Sequence, residues 1–210
     1  MAHFVRPLAL ADSLDTARYD VHFFAPPRFS GYLKNKPFAT GELRSMPGER
    51  FLANTARGAP LFPADVIRGY VKQDRELIAG IEPHLVIGDM RLSLPISARL
   101  EGASWAVMIN AYWSPYTRRR SILPSLPLTR VVPPRLLGPL YRVSEPLAYA
   151  VHVAEMNRVR KEFGIPALPP DLRVMYTEGS FVLLPGYPRV RTSLQPPREP
   201  SLCGHMPVDA

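Results

Sequence analysis

His84-Leu85-Val86-Ile87-Gly88-Asp89, Leu94-Pro95-Ile96-Ser97-Ala98-Arg99-Leu100 and Trp105-Ala106-Val107-Met108-Ile109-Asn110 are the three stretches whose reading decides the fold. The outer two are short apolar runs without alternation, the pattern of strands buried on both faces. The middle one has the length and composition of a short helix, stopped by Gly102. Strand, helix and strand with short joints make a βαβ unit, which calls for parallel pairing and a right-handed crossover. The expectation is therefore an α/β fold: a Rossmann-like open parallel sheet with helices on both faces.

Working outward, Val66, Ile67, Tyr70, Val71, Leu77, Ile78 and Ile81 recur at helical spacing before Pro83 ends the run. Tyr19 to Ala25 reads as another buried strand, stopped by Pro26-Pro27, and the three strands are expected side by side in one sheet. Pro7 suits the first turn of a helix carrying Leu8, Leu10, Ala11 and Leu14, which puts His3 in the loop before it. Residues 28 to 62 are punctuated by Gly and Pro and read as loops with at most one short element. Residues 114 to 140 hold six prolines and read as a long loop. Ser144 reads as the N-cap of a helix that Gly164 and Pro166 stop, and Phe181 to Leu184 as a last strand. The domain is expected over 1–185, with 186–210 a Pro-rich irregular tail. A parallel sheet whose first helix starts near Arg6 needs a strand before that helix, and Met1 stands where the loop after that strand belongs.

Composition narrows the function classes. The chain has 210 residues, 26 Lys+Arg against 18 Asp+Glu for a net charge of +8, 25 prolines and one cysteine. A lone Cys203 excludes a disulfide scaffold. No apolar run approaches the roughly 18 residues of a membrane span, and residues 1–7 lack signal-peptide anatomy. A cytoplasmic protein is the expectation. The basic residues are scattered apart from Arg118-Arg119-Arg120, with no nucleic-acid-binding motif beside them, so no nucleic-acid partner is expected. Metal-ligand spacing, a phosphate-cradling glycine loop and a nucleophile elbow are all missing, so neither a metal nor a resident cofactor is expected.

In an open α/β sheet the carboxyl ends of the strands and the helix N-termini share the edge at which ligands bind. His3, before the first helix, and Asp89, ending a strand, can meet there as a general base and the carboxylate that fixes its tautomer. His3 alone reads equally as a terminal residue, and Asp89 as a turn aspartate. Asn110, Tyr112, Trp113 and Tyr116 follow another strand on the same edge. Flat apolar walls with polar tips suit an aromatic or glycosidic ligand, but they also suit core packing.

The segment Ala2-His3-Phe4-Val5-Arg6-Pro7-Leu8-Ala9-Leu10-Ala11 resembles the one after the first strand in two-Rossmann-domain (GT-B) glycosyltransferases. It is most similar to the macrolide and UDP-glucuronosyl transferases, whose GHxxPxLxLA pattern carries the catalytic histidine. Leu85 to Asp89, Ser97 to Leu100, Asn110 to Tyr116, Asn157 to Arg160 and Gly164-Ile165-Pro166 match that family in kind and in order. The resemblance spans residues 2–190 and only the family's N-terminal, acceptor-binding half. It implies sugar transfer from a nucleotide-sugar, a UDP-sugar in this subgroup, to a hydroxyl of a small lipophilic acceptor. His3 would be the base, Asp89 its support, and Asn110, Tyr112, Trp113 and Tyr116 the acceptor site. It also implies a chain lacking the first strand and the donor-binding domain, and inactive alone. The competing reading is a non-catalytic small-molecule-binding module of the same half-fold, or a subunit of a split enzyme that pairs with a separate donor-domain chain.

Overall fold

The computed structural model describes residues 2–115 and 134–184. Tyr116, the Arg118–Arg120 run and the 186–210 tail with Cys203 lie outside them. The described residues form five short strands and seven α-helices, in chain order α1 Ala2–Ser13, β1 His22–Ala25, α2 Ser30–Leu33, β2 Ala39–Glu42, α3 Gly48–Arg57, α4 Ala64–Ile81, β3 Val86–Asp89, α5 Leu94–Leu100, β4 Trp105–Met108, α6 Pro134–Glu162, α7 Leu172–Thr177 and β5 Phe181–Leu183. All strand pairs are parallel. The fold is α/β, with open parallel sheets flanked by helices.

The β3–α5–β4 unit forms as expected, with Val86 opposite Trp105 and Asp89 opposite Met108. β5 adds to the far side of β4, Ala106 opposite Phe181. The expected single sheet divides into two. β1 pairs with β2 in a two-stranded sheet and has no ladder to β3, while β3, β4 and β5 form the other. α1 packs against both β3 and β1 and so spans the two sheets.

The main core joins α4, α5 and α6 through Ile67, Val71, Ile96, Val153, Met156 and Val159. Each of these side chains is at most 2% exposed, which at about 25 cal/mol per Å² makes this the dominant stabilising cluster. A second, aromatic cluster sits beneath α1: Phe4, Phe23, Phe29 and Leu33. Phe4 stacks on Phe29 with centroids 4.3 Å apart and meets Phe23 edge-on at 6.0 Å.

Several expectations are corrected. The first helix begins at Ala2 rather than near Pro7, so His3 lies in its opening turn and Pro7 inside it. The strand expected from Tyr19 begins at His22, and Tyr19 is half exposed. Residues 28–62 contain α2, β2 and α3 rather than loops. α6 starts at Pro134, ten residues before Ser144, and carries Pro139 and Pro146 within it. The Ser144 hydroxyl caps nothing and instead donates to the Tyr141 carbonyl at 3.1 Å.

Candidate active site

Asp89 is the last residue of β3, so its side chain emerges at the carboxyl edge of the larger sheet. The backbone there is tightly packed. A Cβ on Gly88 would fall 2.7 Å from Leu94 Cδ2 and 3.1 Å from Arg91 Cβ. Met90 follows at φ 54°, a left-handed conformation that non-glycine residues adopt at a cost of about 1 kcal/mol. Arg91 and Ser93 anchor the turn. Arg91 Nη2 and Nε donate to Oδ1 of Asp74 on α4 at 2.8 and 3.0 Å, and the Ser93 hydroxyl donates to Oδ2 at 2.5 Å. The Arg91 guanidinium also lies 4.1 Å from the Tyr70 ring centroid. A buried carboxylate with a guanidinium and a hydroxyl on it is the paired state that burial requires. The turn holding Asp89 is thus tied to the main core.

His3 reaches the same edge from α1. Its Nδ1 lies 2.7 Å from Asp89 Oδ1. A carboxylate only accepts, so the ring donates through Nδ1–H and leaves Nε2 as the acceptor. The His3 side chain is 54% exposed and that of Asp89 only 1%, so Nε2 belongs to the accessible partner. Between them lies Arg6, three residues after His3 and on the same helix face. It grips Asp89 with two parallel bonds, Nε to Oδ2 at 2.8 Å and Nη2 to Oδ1 at 2.7 Å. Its Nη1 donates to the Asn110 side-chain oxygen. The structure therefore joins His3, Asp89 and Asn110 in one cluster, with Arg6 at its centre.

Arg6 was missed in the sequence because the helix was expected to start at it. With the start at Ala2, the three-residue spacing from His3 is the signal that finds it. Tyr112 and Trp113 lie in the single turn of 3-10 helix at Ala111–Trp113, three residues past the end of β4. Both are half-buried. Trp113 packs edge-on against Tyr112 at 5.3 Å and Tyr176 at 5.2 Å. It also touches the main core. Trp113 is therefore rooted in the core while part of its surface stays accessible. Tyr176 is buried, which pushes its phenol well above the usual tyrosine range.

A cavity of about 670 Å³ lies elsewhere, lined by Thr16 to Val21 and Lys36 to Ala39. These residues lead into β1 and β2, at the opposite end from Asp89. The convergent polar groups lie at the carboxyl edge instead, and chemistry follows such groups rather than volume. Among the described residues there is no group of three or more His, Cys, Asp or Glu placed to hold a metal ion. Nor is any described helix long and apolar enough to cross a membrane.

No family model matches the chain. Curated relatives do. The chain is 40% identical over 190 residues to "PGL/p-HBAD biosynthesis glycosyltransferase" of Mycobacterium tuberculosis (strain ATCC 25177 / H37Ra), covering 90% of this chain and 44% of that protein. The figures are 40%, 90% and 42% for "PGL/p-HBAD biosynthesis rhamnosyltransferase" of Mycobacterium bovis (strain BCG / Pasteur 1173P2). They are 40%, 90% and 52% for "Inactive PGL/p-HBAD biosynthesis glycosyltransferase" of the same strain. The chain spans about half the length of the curated relatives it matches, and over that half it is similar to proteins named as glycosyltransferases.

Proposed function

We propose that this chain is the acceptor-binding half of a GT-B glycosyltransferase of the macrolide and UDP-glucuronosyl type. The observation that carries the reading is the His3–Asp89 pair, with a buried carboxylate orienting an exposed imidazole at the ligand-binding edge of a parallel sheet. The acceptor hydroxyl gives its proton to His3 Nε2, and Asp89 stabilises the imidazolium that forms. The acceptor oxygen bonds to the anomeric carbon of the sugar as the bond to the nucleoside diphosphate breaks, inverting that carbon. Asn110, Tyr112, Trp113 and Tyr116 hold the small lipophilic acceptor. The co-substrate is a nucleotide-sugar, a UDP-sugar on the resemblance. The relatives are about twice as long as this chain, and the reading places donor binding in their remaining half. Holding donor and acceptor together is worth roughly 7–11 kcal/mol of barrier, so transfer requires that half, in cis or in trans. One relative is named inactive, so a non-catalytic acceptor-binding role remains the second reading.

The test mixes the chain with UDP-sugars, phenolic and macrolide acceptors, and the C-terminal half of the relative named as a glycosyltransferase, and looks for glycoside by mass spectrometry. Product is expected only with the added half, and is lost in H3A. Product undiminished in H3A overturns the assignment of the base. Acceptor binding without product under every combination favours the non-catalytic module.

A further inference from the structure

We infer that Arg6 is a positioning residue, which fixes the Asp89 carboxylate and through it the tautomer of His3, and which sets the distance between His3 and Asn110. The inference rests on the reading of His3 as the base. Three observations carry it. First, Arg6 holds both carboxylate oxygens of Asp89, at 2.8 and 2.7 Å. A planar fork of this kind fixes the rotation of a carboxylate as a single ammonium cannot. Second, the Asp89 side chain is 1% exposed, so water is not available to hold it in that orientation instead. Third, Arg6 bonds at once to groups from two successive strand ends, Asp89 on β3 and Asn110 just beyond β4. It lies one helical turn from His3, so the helix bearing the imidazole is locked to the edge bearing its partners.

The crowding at Asp89 Oδ1 makes the arrangement specific. Both His3 Nδ1 and Arg6 Nη2 lie 2.7 Å from that oxygen and 3.2 Å from each other. An imidazole presenting Nδ1 without its proton would accept from Arg6, a contact that pulls the ring off Asp89. One presenting Nδ1–H donates to Asp89 beside Arg6. Which form prevails depends on where the carboxylate oxygen stands, and Arg6 sets that position. The ionisable groups hydrogen-bonded within this cluster are Asp89 from β3 and Arg6 and His3 from α1, with the Asn110 amide beyond β4. Arg91, two residues from Asp89, is engaged with Asp74 instead.

The tautomer is read by two-bond ¹H–¹⁵N correlation of the imidazole ring at about pH 9, above the usual imidazole range, with His3 signals assigned by their loss in H3Q. The full chain is used, and its amide spectrum reports folding. The wild-type ring is expected as the Nδ1–H form. In R6Q and R6K the signals move toward the tautomer mixture of an unpaired histidine, and millimolar methylguanidinium restores the Nδ1–H pattern in R6G. A merely structural arginine would not give that rescue. Should R6Q fail to fold, R6K decides, since it keeps the charge and loses only the fork. An unchanged Nδ1–H pattern in a folded R6K or R6Q overturns the inference. The measurement needs no turnover. Altered tautomers with undiminished transfer in H3A would sink the proposed base and leave the positioning role standing.

Discussion

His3 and Asp89 lie 2.7 Å apart, yet different parts of the molecule hold them. Asp89 sits between Gly88 and Arg91 on a turn tied to Asp74 and packed beneath α5. His3 stands on the first turn of α1, over the smaller aromatic cluster and a two-stranded sheet. One partner is built into the main core and the other is delivered to it by a peripheral helix. The difference teaches that the core sets the turn carrying the carboxylate, while α1 sets the carboxylate's rotation and places the base. Arg6, on both Asp89 oxygens, and Phe4, in the aromatic cluster, are the contacts through which α1 does so.

The comparison breaks most severely on the Asp89 side. Asp74 is buried, and removing it leaves the largely buried Arg91 guanidinium without its ion pair. D74A is expected to destabilise the chain by about 3–5 kcal/mol, the scale for breaking a buried pair, as measured by urea unfolding. A loss below about 1 kcal/mol, the scale of an exposed pair, would mean that the turn does not rest on this network.

Phe4 tests the other side. It is 5% exposed and in contact with three aromatic rings. F4A is expected to cost about 3 kcal/mol, the lower end for emptying a buried phenylalanine site. Hydrogen exchange locates the loss: amides of α1 and β1 lose protection while those of β3 and β4 keep theirs. Uniform loss across both sheets would show that the two regions unfold as one and would remove the distinction between them.

The same contrast explains what was legible in the sequence. β3, α5 and β4 are readable because their apolar runs are buried on both sides and have no competing pattern. β2, Ala39-Thr40-Gly41-Glu42, carries no apolar signal and is largely exposed. Its glycine is explained only by the fold, since a Cβ there would fall 2.5 Å from Phe24 Cε1. α3 carries an amphipathic pattern that the glycines and prolines around it obscure, and none of its residues is buried. The early start of α6 was hidden by its prolines: Pro139 belongs to the segment that reads as a loop and Pro146 reads as a first-turn residue after Ser144, although both lie inside the helix. In the site, the meeting of His3 and Asp89 followed from the strand-end rule. The part of Arg6 did not, because it depends on where α1 begins.

Trp113 sharpens the comparison further, because it joins the site edge to the core through Tyr176. W113A is expected to weaken binding of an aromatic acceptor by about 1–3 kcal/mol, the scale for losing a good anchor, as read by titration calorimetry. A loss of stability with unchanged acceptor affinity would assign the residue wholly to the core.

The smallest expected effect lies away from the site, where α4 meets α6. Arg68 donates to both oxygens of Glu162 at 2.7 and 2.8 Å. These hydrogen bonds hold the Glu162 carboxyl below the usual glutamate range. A carboxyl lowered in the folded state binds fewer protons there than in the unfolded chain, so its contribution is complete above the unfolded value. It is lost as pH falls through the folded one. Both side chains are more than two-fifths exposed, so solvent and salt screen the pair. The wild type is therefore expected to melt slightly above E162Q at neutral pH and low salt. The gap should close toward about pH 3, where carboxylates of the usual range are protonated, and shrink in about 1 M salt, where the Debye length falls to roughly 3 Å. A gap of equal size at both pH values would assign Glu162 to packing between the helices. This exposed pair would then contribute shape rather than charge, in contrast to the buried Asp74–Arg91 pair that holds the turn of Asp89.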